Sequence, residues 1–240
     1  MGASPTLIVA LDVSGLDEAL RLRDTLGEVV DFFKVGSELF TSVGPGIVKE
    51  LCSSGSRVFL DLKFHDTPTT VGRAVAAACR LGATLVDIHV SGGAAMMVAA
   101  LEAAKAAGEA IGVEGIRPLV FGITVLTALG EEDGFALGFQ GGTRQQALRL
   151  ARLALQSGLD GVVASGTEIR AIREATDDRL EVLVPGVRPD WASEVHDQKR
   201  VVTPAEAARA GARYVVVGRA ITGRGDSREA ASRILDELAG

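Results

Sequence analysis

These 240 residues contain no asparagine at all, only two cysteines, one tryptophan and one tyrosine, and 5 lysines against 20 arginines. Each scarcity excludes something. Cys52 and Cys79 stand in separate apolar helical segments, with no CxxC or Cys/His cluster nearby. That rules out a disulfide framework or a cysteine metal site and points to a reducing cytoplasm. No apolar run approaches the ~18–20 residues of a membrane span. The opening MGASPTLIVALD has neither the basic region nor the longer apolar core of a signal peptide. A basic stripe is also lacking: net charge is −6, with acids and bases interspersed, which argues against a nucleic-acid partner. A small anion is still compatible, because a few local arginines can hold one.

What is present is a regular alternation. Short β-branched runs are expected as strands at Leu7–Leu11, Phe32–Val35, Val58–Leu62, Leu85–His89, Leu119–Val125, Gly161–Ala164, Glu181–Val184 and Tyr214–Val217. Helical patterns fall between and after them, among them Asp17–Leu26, Val71–Leu81, Ala94–Ala107, Thr143–Ser157 and Asp226–Leu238. The strands are near-continuous apolar runs, as in a parallel sheet covered on both faces. Gly55, Gly82, Gly158 and Gly211 each follow a helical segment and precede a strand, where a left-handed residue turns the chain back. Eight such units in 240 residues average 30 each, the size of a βα repeat. The expected fold is α/β, a single-domain (β/α)8 TIM barrel spanning residues 1–240. An open doubly wound sheet is the competitor, but no GxGxxG follows the first strand.

Against this apolar background the stretch VFLDLKFHDTPTT, Val58–Thr70, is anomalous. Asp61, Lys63 and Asp66 bring full charges to the end of a buried strand, and a two-residue alternation puts Asp61 and Lys63 on one face. Burying charges is costly unless they are paired. Lys34 and Lys63 are two of the five lysines, in a chain that elsewhere writes arginine. The requirement is therefore for an ammonium, which can deliver a proton as arginine effectively cannot.

Polar residues gather at the other strand ends as well: Asp12, Lys34, His89, Thr124 and Thr127, Ser165, Arg188 in VPGVRP, and Gly218 with Arg219 in VVVGRAIT. In a barrel these converge on the face where active sites are built. The loops after the seventh and eighth strands are the usual phosphate cradle, here offering Gly186, Gly218 and two arginines, with Gln198 between. The expected ligand is a phosphate monoester. Two readings of Lys34, Asp61, Lys63 and Asp66 stay open on this ground alone: a structural ion-pair ladder, or a fixed field around a reacting atom.

The motifs LIVALD, FKVG, LDLKFHD, DIHVSGG, PGVRP and VGRAIT, in this order from about Leu7 to Ile221, resemble the orotidine 5′-phosphate decarboxylase family of the short bacterial type. The resemblance implies a homodimeric (β/α)8 barrel that converts orotidine 5′-monophosphate to UMP and CO2, the last step of de novo pyrimidine nucleotide synthesis, without metal or cofactor. It implies that Lys63 protonates C6 of the pyrimidine, that Asp61 lies near the substrate carboxylate, and that Lys34 completes the charge network. Asp66 and Thr70 would reach into the neighbouring subunit's site. Asp12 and Lys34 would hold ribose hydroxyls and Thr127 the base, while Arg188, Gln198, Gly218 and Arg219 would take base and phosphate contacts. DTPTT replaces the DIPNT common in the family, which puts Thr67 and Thr69 beside Asp66 and Thr70 without replacing either.

Other features are read as structural. His65 is expected to point away from Lys63, His89 to pack or hydrogen-bond, and Met96 and Met97 to be core. Asp226 of the Arg224-Gly225-Asp226 tripeptide is expected to cap the last helix. Segments Leu129–Gly142 and Arg188–Arg200 are the candidate lids. A sugar-phosphate decarboxylase or aldolase dependent on Mg2+, and a non-catalytic phosphate-binding barrel, are the alternative functions.

Overall fold

The computed structural model describes residues 4–111, 117–192 and 201–240. Eight strands close into one parallel barrel in sequence order: β1 (Thr6–Ala10), β2 (Phe32–Gly36), β3 (Arg57–Phe64), β4 (Leu85–His89), β5 (Leu119–Ile123), β6 (Gly161–Val163), β7 (Glu181–Pro185) and β8 (Tyr214–Val217), with β8 pairing back onto β1. The expected strands are all present. The largest difference lies in β3, which runs two residues past Leu62, and its cause bears on the site. The long helices fall where the apolar periodicity put them, at Leu16–Leu26, Pro68–Arg80, Ala94–Ile111, Gly142–Gln156 and Ser227–Ala239. Asp226 caps the last of these, its Oδ1 accepting the Glu229 N–H at 2.9 Å. The four glycines between helix and strand all have φ between +86° and +99°. The candidate lid Leu129–Gly142 contains a short helix, Glu131–Ala136.

Strand alternation divides the apolar residues between two cores. Leu7, Val9, Leu11, Phe33, Val35, Val58 and Leu60 face outward into the layer between sheet and helices, which also takes Met96 and Met97. Ile8, Ala10, Phe32, Phe59, Leu85, Phe121, Leu183, Tyr214 and Val216 fill the barrel interior. Within that interior Tyr214 meets Phe121 and Phe32 edge-on, with ring centroids 5.7 and 6.2 Å apart. This aromatic cluster occupies the amino-terminal part of the barrel. The same inward rows continue toward the carboxyl ends as Asp12, Lys34, Asp61, Lys63 and Asp87. One parity thus carries the plug of the barrel and the polar lining of its mouth.

The packing of the plug depends on the first residue of β6. A Cβ on Gly161 would come 2.3 Å from the Phe121 ring and 2.6 Å from the Glu181 carbonyl oxygen, and backbone cannot swing aside. Gly161→Ala is therefore expected to destabilise the fold by about 1–3 kcal/mol through overpacking. Urea titration of parent and variant measures it, and an unchanged midpoint would contradict the packing described.

Candidate active site

A cavity of about 310 Å³ opens at the carboxyl ends of the strands. Its two halves differ in kind. Strands β1–β4 supply Asp12, Lys34, Asp61, Lys63 and Asp87, whereas β5–β8 and their loops supply an apolar wall including Ile123, Val125, Leu183 and Val216. The same side adds Thr127, Gly186, Arg188, Gly218 and Arg219. Nine of the residues singled out from sequence thus share one cavity: Asp12, Lys34, Asp61, Lys63, Thr127, Gly186, Arg188, Gly218 and Arg219. Gln198 lies outside the described residues, as does 193–200 of the candidate lid Arg188–Arg200.

The charged side is a continuous chain. Lys34 Nζ lies 2.8 Å from Asp12 Oδ1 and 3.3 Å from Asp61 Oδ2, and the other Asp61 oxygen accepts from Lys63 Nζ. Asp61 therefore bridges two ammoniums. Its side chain is 11% exposed and that of Lys34 10%, whereas the Lys63 side chain is 41% exposed, with its ammonium at the cavity. Burial alone would lift the Asp61 carboxyl, but Lys34 and Lys63 together outweigh it and hold the acid below its ordinary range. Burial alone would likewise lower Lys34, but Asp61 and Asp12 leave it raised. Both groups keep their charge because each neutralises the other's cost of desolvation. Gly36 makes room for this: a Cβ there would lie 2.8 Å from Lys34 Nζ.

Lys63 reaches its place by breaking the strand's regularity. Leu60 pairs with Val86 and Phe64 with Ile88, so the three residues Asp61, Leu62 and Lys63 of β3 lie opposite one residue of β4, Asp87. Lys63 adopts φ +53°, a left-handed conformation that non-glycine residues seldom take. Simple alternation would put Asp61 and Lys63 on one face; the observed contact comes instead through this bulge. Asp87 was not singled out from the sequence, where His89 at the strand's end drew notice. It could have been found, since it stands two residues beyond interior Leu85 just as Lys34 does beyond Phe32.

The remaining expected groups lie elsewhere. Asp66 and Thr70 are exposed and do not line the cavity, and the whole run His65–Thr70 is open to solvent. Asp66 Oδ1 accepts the Thr67 N–H, and the Thr67 hydroxyl donates to that of Thr70 at 3.0 Å. The His65 and His89 rings stack with centroids 5.1 Å apart. Burial first, then His65 and Lys63, hold His89 below the ordinary imidazole range, which fits a neutral packing group. Thr124 is buried, its hydroxyl donating to the Val163 carbonyl. Trp191 donates its indole N–H to Glu237 at 2.7 Å, with the Arg233 guanidinium 4.6 Å from its ring centroid.

The charge chain sets a pH dependence. With its folded pKa below the unfolded value of 3.8, Asp61 contributes stability that is complete above that value and is lost as pH falls through the folded pKa. Asp61→Asn removes that contribution. Urea unfolding at about pH 6 and about pH 3 is expected to show parent and Asp61→Asn differing less in stability at the lower pH. A difference that grows on acidification would contradict the bridged carboxylate.

Comparison with known proteins bears on the whole chain. Residues 5–234 match the sequence profile of the orotidine 5′-phosphate decarboxylase / HUMPS family. Orotidine 5′-phosphate decarboxylase of Moorella thermoacetica is 46% identical over 239 residues, spanning 99% of this chain and 94% of that one. The enzyme of the same name from Heliobacterium modesticaldum is 45% identical over 246 residues, spanning 100% and 98%. The crystal structure of orotidine 5′-phosphate decarboxylase from Lactobacillus acidophilus superposes with a TM-score of 0.85 at 32% identity, over 99% of this chain and 100% of that one. With its closed barrel and its ammonium–carboxylate chain in one cavity, this protein belongs to the orotidine 5′-phosphate decarboxylase / HUMPS family.

Proposed function

We propose that this chain decarboxylates orotidine 5′-monophosphate to UMP and CO2, the last step of de novo pyrimidine nucleotide synthesis, with no metal or cofactor taking part. The observation that carries the proposal is the Lys63 ammonium, held at the cavity by a buried carboxylate that a second ammonium also grips.

The reaction needs such a group. When the C6–carboxylate bond breaks, its electron pair stays on C6 in an sp2 orbital that the ring cannot delocalise. A fixed ammonium beside that atom stabilises the growing charge and then gives it a proton, so that a C–H bond replaces the C–C bond. The lysine regains its proton from solvent. Asp61, anionic between two cations, would stand next to the departing carboxylate. Asp12 and Lys34 would hold the ribose hydroxyls, and Thr127 the base. Arg188, Gly218 and Arg219, with Gln198, would take base and phosphate contacts, and binding energy from the phosphate would fix the ring against the charge chain. On this reading the chain is one catalytic domain over 1–240, working in the cytoplasm as a homodimer whose sites are shared. Solvent-facing Asp66 and Thr70 support the sharing, since they lie outside their own cavity yet belong to the motif that builds it. Lys34 weighs against an Mg2+-dependent sugar-phosphate lyase, because its ammonium occupies the Asp12–Asp61 carboxylate pair that a dication would require.

Purified protein in excess EDTA is expected to consume orotidine monophosphate and form UMP, followed by absorbance. Folded protein without turnover would overturn the assignment. Lys63→Ala is expected to lower kcat by at least roughly 1000-fold, since proton delivery and charge stabilisation are lost together. Mixing Lys63→Ala with Asp66→Ala subunits is expected to restore part of the activity, because one site in each mixed dimer is then complete. No recovery despite demonstrated subunit exchange would refute the shared site.

A further inference from the structure

The residue of this site with no role so far is Asp87, and three observations converge on it. It is among the most deeply buried charged side chains described, at 1% exposure. It stands alone on β4 opposite the three-residue bulge Asp61–Lys63 of β3. Its Oδ1 accepts the Lys63 backbone N–H at 2.8 Å, so a side chain supplies the acceptor that the interrupted ladder cannot. That bond falls on the residue whose φ of +53° is held against its intrinsic preference.

We propose that Asp87 is the positioning residue of this site: its carboxyl pins the left-handed backbone of Lys63, and thereby aims the Lys63 ammonium into the cavity while bracing Asp61. The inference rests on the decarboxylase reading above and adds a residue to it.

The proton inventory fits. Asp87 lies close enough to Asp61 to feel its charge, and ionising both would set two like charges together in a buried place. Asp61 faces Lys34 and Lys63 and stays ionised, whereas burial first, and then the Asp61 charge, push Asp87 well above the usual carboxylate range. Of the two acids Asp87 is therefore the one that favours its proton. Its Oδ1 accepts the Lys63 N–H, and in the protonated acid the other oxygen is a donor. An asparagine has the same pattern, one acceptor oxygen and one donor N–H, with no charge to bury. Leucine has the same branched skeleton but is larger, and alanine is smaller; neither offers an acceptor or a donor.

The test compares Asp87→Asn, Asp87→Leu and Asp87→Ala, with orotidine monophosphate turnover and UMP affinity measured on each folded variant. Asp87→Asn is expected to keep kcat within about 3-fold of the parent, since it keeps the acceptor for the Lys63 N–H and puts a donor where the acid O–H would be. The Leu and Ala variants are expected to lose about 100-fold in kcat, the scale of a misplacement near 1 Å, while UMP affinity stays within about 3-fold. A merely structural role would lower activity in step with the folded fraction and leave kcat of the folded molecules unchanged. The proposal is overturned if Leu or Ala keeps parental kcat, or if Asn loses as much as they do. Should neither Leu nor Ala fold, Asn alone decides: retained kcat supports the proposal, and a loss above about 10-fold with UMP binding intact refutes it. A parent that does not turn over orotidine monophosphate would instead refute the function proposed above, so the two failures are distinguishable.

Discussion

The site depends on one buried carboxylate that two ammoniums share. Asp61 lies 3.3 Å from Lys34 Nζ through one oxygen and accepts from Lys63 through the other. Neither buried group, Asp61 or Lys34, is suited to carry its charge there alone. Removing Asp61 would leave two like charges side by side in a half-enclosed cavity. Removing either lysine would leave the carboxylate with one cation to offset its burial, and its pKa would rise. Asp12 extends the alternation on one side, and Asp87, its carboxyl pushed up by burial and by the Asp61 charge, ends it on the other. Compared with an apolar replacement of the whole chain of charges, such a buried arrangement gains the barrel little stability, although losing one partner alone costs it. What it secures is a cation with a fixed address in a partly dry place, where charge interactions are stronger than in water.

That address follows from strand parity. Within each of the first four strands the inward positions run from an apolar residue in the barrel interior to a charged one at the mouth: Ala10 to Asp12, Phe32 to Lys34, Phe59 to Asp61, Leu85 to Asp87. The aromatic plug below excludes water from one end, and the loops of β5–β8 supply glycines and arginines at the other. Fold and site are two ends of the same rows of side chains. Changing the register of any of these strands by one residue would turn both its core residue and its charge outward.

Most of this could be read in the sequence. Eight apolar runs separated by helical patterns identify the strands, because parallel strands buried on both faces leave a strong signal. The charges at their ends stand out for the same reason. The left-handed turn at Lys63 was not legible: alternation is blind to a bulge, and nothing in LDLKFHD marks where the pairing slips. Asp87 was missed because a lone acid two residues before a histidine looks less remarkable than the histidine. Its meaning came only from the partner it faces across β3. The role proposed for Asp66 and Thr70 depends on a second subunit, and a single chain's hydrophobic pattern does not encode where another copy would sit.

On the proposed reaction everything turns on the Lys63 ammonium standing at the carbon from which CO2 leaves. A crystal structure of the protein with UMP tests it most directly. The expected result is Lys63 Nζ within about 3.5 Å of the pyrimidine C6, in the plane of the ring and still bonded to Asp61. A nucleotide seated in the same cavity with C6 facing the apolar wall, and that amine turned to solvent, would contradict it.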